Sequence, residues 1–116
     1  MKESNKKLES DFSEAFTEFK SRYPFSDKLG ASEYLASRAI ITELSKHLDG
    51  FDGKRLLDIG CGPMSKTAIF QLFGCHCFGV DDLSDPWHVE GTNTQKIKNF
   101  ATQLGINFHK QAVGDY

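Results

Sequence analysis

The chain has 116 residues, 39% of them hydrophobic, 12% aromatic and 26% charged. That profile excludes a disordered chain, and the length excludes a second core. Lys+Arg number 14 against 16 Asp+Glu, a formal net charge of −2, which argues against nucleic acid or an anionic membrane as the main partner.

Residues 5–22 are predicted as a helix, because Leu8, Phe12, Phe16 and Phe19 recur at helical spacing with Lys, Glu and Asp on the other faces. Tyr23-Pro24 ends it, since a residue before proline is pushed out of the helical region. A second helix is predicted over 32–49, with Ser32 as N-cap and Glu33 in its first turn. Its buried face is read as Leu35, Ala39, Ile40, Leu44 and Leu48. Lys46 and His47 fall in its last turn, where positive charge suits the helix dipole, so His47 reads as a helix-end residue rather than a catalyst. Gly50-Phe51-Asp52-Gly53 is a turn.

The character then changes. Arg55–Ile59 is a short apolar strand, followed by Gly60-Cys61-Gly62-Pro63. A helix over 65–73 is closed by Gly74, and a strand over 75–80 follows. Residues 81–93 form a polar loop containing Pro86-Trp87-His88. A helix over 94–104 leads through Gly105 to a third strand over 106–113, ahead of Gly114-Asp115-Tyr116. The order α-α-β-α-β-α-β implies parallel βαβ units in an α/β fold.

No apolar run reaches the ~18–20 residues that span a bilayer. The charged start, Met1-Lys2-Glu3-Ser4-Asn5-Lys6-Lys7, is not followed by the apolar stretch of a secretory signal. Cys61, Cys75 and Cys77 are odd in number, which points to reduced thiols and a cytoplasmic setting. Cys75-His76-Cys77 raises a metal reading. Strand alternation places His76 on the face opposite the two cysteines, and no CxxC or HxxxH adds ligands, so we assign no metal.

The chemistry centres on Leu57-Asp58-Ile59-Gly60-Cys61-Gly62-Pro63, between a strand and a helix. Open α/β sheets bind ligands there, outside the carboxyl ends of the strands. Gly60 and Gly62 permit a tight turn and close backbone approach. Asp58 can reach a cationic ligand group or hold the glycine loop. Asp81, after Gly79-Val80, stands about 20 residues beyond the loop, where a carboxylate can accept from ribose hydroxyls.

These segments resemble class I, seven-stranded, Rossmann-like S-adenosylmethionine-dependent methyltransferases. Leu57-Asp58-Ile59-Gly60-Cys61-Gly62 is similar to their first motif, Gly79-Val80-Asp81 to the acidic end of their second strand, and Gly114-Asp115 to the close of their third. The resemblance covers residues 54–116 and makes residues 1–50 a helical extension and 51–116 a partial Rossmann-like domain. It implies that Asp58, Gly60, Cys61 and Gly62 line the amino-acid end of S-adenosylmethionine. It implies further that Asp81 holds the ribose, that Asp82 and Leu83 lie beside adenine, and that Asp115 accepts from the adenine amino group. Met64 stands where many members have a third glycine, with room to pack under the cofactor. The methyl acceptor is not specified.

Two other nucleotide readings use the same glycines. A dinucleotide fingerprint would align Gly60, Gly62 and Ser65, but it brings Asp58 close to a pyrophosphate. A phosphate loop, Gly60 to Thr67, has Ser65 in place of its last glycine, and Pro63 removes an N–H from the cradle. Trp87 either stacks on adenine or anchors its loop, and His88 is a weak general-base candidate.

The family's sheet order is 3-2-1-4-5-7-6. The resemblance therefore implies a sheet of about three strands in order 3-2-1, apparently truncated, with the first strand left open at one edge. Such an edge invites self-association. A non-catalytic module that binds a cofactor or a partner through that edge is the alternative.

Overall fold

The computed structural model describes residues 2–115, apart from the side chains of residues 2–5, 28 and 115. Helix α1 spans Lys2–Arg22 and buries the predicted aromatic stripe, with Phe12, Phe16 and Phe19 at 7% exposure or less. A 3-10 turn at Ser26–Lys28 leads to α2, Ala31–Ser45.

Helix α2 departs from its predicted face. Leu35 is 59% exposed and Ile40 38%, and Ala39 and Leu48 are exposed too, whereas Ser37 and Ile41 are buried. The helix carries a second set of residues at helical spacing: Tyr34, Ser37, Ile41 and Leu44. Tyr34 decides between the two sets, because its ring packs edge-on against Phe12 and Phe16, with centroids 5.2 and 5.0 Å away. The helix starts after Gly30 with no side-chain cap, so Ser32 lies inside its first turn, and it ends before Lys46 and His47.

Strand β1 is Arg55–Ile59, helix α3 is Ser65–Leu72 and strand β2 is His76–Asp81. The loop after β2 contains a short helix, α4, Pro86–Val89. The Asp85 carboxylate caps it by accepting from the Trp87 N–H at 2.9 Å, and Pro86 fills the first position, where no N–H is needed. Helix α5, Asn93–Leu104, ends at Gly105 with φ +78°. Strand β3 is Asn107–Lys110, half the predicted length, and a 3-10 turn follows at Val113–Asp115. Its pairing stops where β2 stops, at Asp81 opposite Lys110.

All pairings are parallel, β1 with β2 and β2 with β3. The order is thus β1-β2-β3 with β2 in the middle. Counted from the opposite edge these are the neighbours of the expected order 3-2-1. Helices α3 and α5 pack on the sheet and on each other, and α1 packs on α3. One buried cluster runs from Phe12, Phe19 and Tyr23 through Met64 and Ile69 to Ile97 and Phe100, so the N-terminal helices share the core of the βαβ units.

The other sheet face is largely bare. Arg55, Leu57, Ile59, His76, Asn107 and His109 are exposed, with Leu57 at 47% and Ile59 at 58%. Among the described residues, no helix is long and apolar enough to cross a membrane.

Candidate functional site

Ile59, the last residue of β1, pairs with Val80, one residue before the end of β2, which brings the loop Gly60 to Met64 next to Asp81. Gly60 and Gly62 sit at φ +72° and +54°, backbone that a β-carbon disfavours. Met64 adopts φ +67° at the N-cap of α3. Its side chain is fully buried in the core, and that burial offsets a left-handed backbone costing ~1–2 kcal/mol.

Every amide of this loop is committed. The Gly60 and Cys61 N–H groups donate to the Val80 carbonyl at 2.7 and 3.2 Å. The Gly62 N–H donates to Asp81 Oδ2 at 2.8 Å, and the Met64 N–H to the Cys61 carbonyl at 3.1 Å. Pro63 has none to give. The loop presents no free N–H nest for a phosphate.

Carboxylates flank it instead. Asp58 is half-buried and accepts from Thr67 Oγ1 at 2.6 Å, and Thr67 is fully buried on α3. Asp58 thus ties the end of β1 to the helix beyond the loop. Asp81 is half-buried, and its Oδ1 accepts from the Leu83 N–H at 2.8 Å. Each Asp81 oxygen carries one backbone bond and retains capacity for a hydroxyl donor.

The remaining predicted residues divide. Cys61 Sγ stands 2.9 Å from where a β-carbon on Gly79 would be, so Gly79 makes room for it. Burial, followed by the charges of Asp58 and Asp81, pushes its thiol up to about 12. Asp82 is exposed and accepts from Ser84 Oγ at 2.8 Å and Ser84 N–H at 3.0 Å, bonds that hold its carboxyl below the usual range. Leu83 corrects an expectation: its side chain is fully buried in the core, at φ +53°, and offers no surface to adenine. The Asp115 side chain lies outside the described residues. Cys75 and Cys77 are buried while His76 is exposed.

Three further residues border the loop: His88, the weak general-base candidate of the sequence, and Tyr23 and Phe25, which the sequence pattern does not announce. His88, carried by α4, lies over Gly62, with Nε2 3.7 Å from where a β-carbon there would be. The Tyr23 hydroxyl donates to the Pro63 carbonyl at 3.1 Å. Burial, helped by the charge of Glu33, raises the Tyr23 pKa above its ordinary value. Phe25 meets Trp87 edge-on with centroids 4.7 Å apart, so Trp87 anchors α4 onto the N-terminal segment. The Asp85-Pro86 pair was the legible signal for α4. Nothing local in the sequence announced Tyr23 or Phe25.

No known protein family, curated protein or solved structure matches the chain.

Proposed function

We propose that the chain is the cofactor-binding portion of an S-adenosylmethionine-dependent methyltransferase, acting on an acceptor that it does not itself identify. The observation that supports this reading is the chemistry of the loop from Gly60 to Met64. Its amides are committed and it is flanked by Asp58 and Asp81. Such a site disfavours the phosphates of NAD or ATP and suits a ligand with ammonium and sulfonium charge.

Asp58, Gly60, Cys61 and Gly62 would hold the amino-acid end, Asp81 the ribose hydroxyls, and Asp82 would border the adenine. The bound cofactor would supply an electrophilic methyl group on sulfur. The chain would supply position and charge. Calorimetry of the chain with S-adenosylhomocysteine tests this. Saturable binding is expected. An ATP signal with none for S-adenosylhomocysteine overturns it.

One observation favours a second reading, a non-catalytic partner-binding module. Leu57 and Ile59 are exposed on the bare sheet face, beside the unpaired edge of β1. Concentration-dependent light scattering, with no affinity for S-adenosylhomocysteine, would select it.

A further inference from the structure

We propose that the cleft between the N-terminal segment and the glycine loop binds a small organic ammonium ion. The cleft is about 260 Å³, near the lower end of ordinary ligand pockets at ~300 Å³. Its walls combine three aromatic rings, Tyr23, Phe25 and Trp87, with the apolar Leu29 and Pro63, the polar Ser65 at the start of α3 and the Glu33 carboxylate. Among the described residues lining it, Glu33 is the one charged group.

The rings meet edge to face. Tyr23 and Phe25 have centroids 5.5 Å apart at 82°, and Phe25 and Trp87 4.7 Å apart at 67°. The three ring planes are thus steeply inclined to one another where they border the cleft. Aromatic faces carry partial negative charge and attract a cation within ~6 Å. Glu33 adds a full negative charge on the same cleft, close enough to Tyr23 to hold its proton more tightly. Both features repel an anion. A neutral apolar guest would leave the carboxylate beside dry surface without a partner. An ammonium ion with methyl groups suits the carboxylate and the apolar walls together, its charge meeting Glu33 and the rings, and its methyl groups meeting Leu29 and Pro63. The inference does not rest on the cofactor assignment, since Tyr23, Phe25, Leu29 and Glu33 are not proposed cofactor contacts.

The walls are pinned in place. Tyr23 is held through its hydroxyl to Pro63, and Tyr23 and Phe25 are 6% and 5% exposed. The cleft thus exists before any ligand arrives, which lowers the cost of binding.

Trp87 is the only tryptophan of the chain, so intrinsic fluorescence reports on this cleft. The test is a titration of the whole chain with choline chloride, against sodium chloride at equal ionic strength. A saturable change in emission is expected with choline. The uncharged isostere 3,3-dimethylbutan-1-ol should bind at least ten-fold more weakly. Glu33→Gln, a near-isosteric change at a half-buried position of α2, should weaken choline at least ten-fold while the far-ultraviolet dichroism stays unchanged. No saturable choline signal, equal binding of the isostere, or undiminished choline affinity in a folded Glu33→Gln overturns the proposal. If that variant fails to fold, the comparison of choline with its isostere on the unaltered chain decides alone. Calorimetry with S-adenosylhomocysteine on the same sample reads the cofactor site separately.

Discussion

The Gly62 amide donates to the Asp81 carboxylate at 2.8 Å, joining positions 19 residues apart. The other oxygen of Asp81 accepts from the Leu83 amide. One side chain therefore fixes both the glycine loop and the turn after β2. Asp81→Ala should cost ~1.5–3 kcal/mol of stability, on the scale of hydrogen bonds to a charged group. Asp81→Asn, which keeps one carbonyl acceptor, should recover part of that. Urea denaturation measures both. Under the proposed function, Asp81→Ala also weakens S-adenosylhomocysteine by ten-fold or more, read by calorimetry, and unchanged affinity would remove Asp81 from the site.

Thr67 and Asp58 make a second tie, at 2.6 Å with the threonine fully buried. Thr67→Val keeps the volume and deletes the donor. The expected loss is ~1–3 kcal/mol, because a half-buried carboxylate is left without its partner. Thr67→Ser restores the hydroxyl and should lose only the packing of a methyl group, ~1 kcal/mol. Equal loss in both variants would assign the effect to packing.

The thiols of Cys61 and Cys77 are both pushed up to about 12, chiefly by burial. At pH 8 such a thiol is ionised to ~10⁻⁴, against about a tenth for an ordinary value near 9. Iodoacetamide should therefore label the folded chain far more slowly than the urea-unfolded chain, as followed by mass spectrometry. The same shifts give an alkaline limit to stability. Below pH 9 these thiols are neutral in both states and contribute nothing. Above it the unfolded chain ionises first, so stability falls as pH rises from about 9 towards 12. A urea midpoint that stays flat across that window would contradict the assignment.

Ile59 ends β1 at 58% exposure on the bare sheet face. Ile59→Lys should leave the urea midpoint nearly unchanged, within about 0.5 kcal/mol, since little buried surface is lost. Under the partner-binding reading it should also lower self-association, because a charge at a strand edge opposes pairing. Light scattering at several concentrations checks this. Equal scattering from both proteins would show that the β1 edge is not the contact.

Some of this was legible from local pattern. The stripe Phe12, Phe16, Phe19, the strand at 55–59 and a strand over 75–80, which the structure places one residue later at 76–81, follow from periodicity and flanking glycines, and the alternation of strand and helix implies parallel pairing. The third strand is shorter than its pattern predicts because its end depends on where its partner stops, which no local pattern encodes. The α2 face was misread because two sets of residues at helical spacing compete there, and only the rings of Phe12 and Phe16 choose between them. Leu83 was placed at a ligand on the strength of its position after Asp81. It turns inward because its own amide is held by that carboxylate at φ +53°, beside an apolar core that can receive it.

By itself, then, the sequence determined the α/β class, the glycine loop and the acidic strand ends, since these rest on short-range periodicity and backbone freedom. Only the tertiary structure decided what the loop can offer. Folding takes up its amides with Val80, Cys61 and Asp81, leaves carboxylates as its polar neighbours, and seats Tyr23 and Trp87 beside it. Those partners lie far away in the chain. They meet because burying the apolar face of α1 against α3 and α5 carries the segment after it to the carboxyl edge of the sheet.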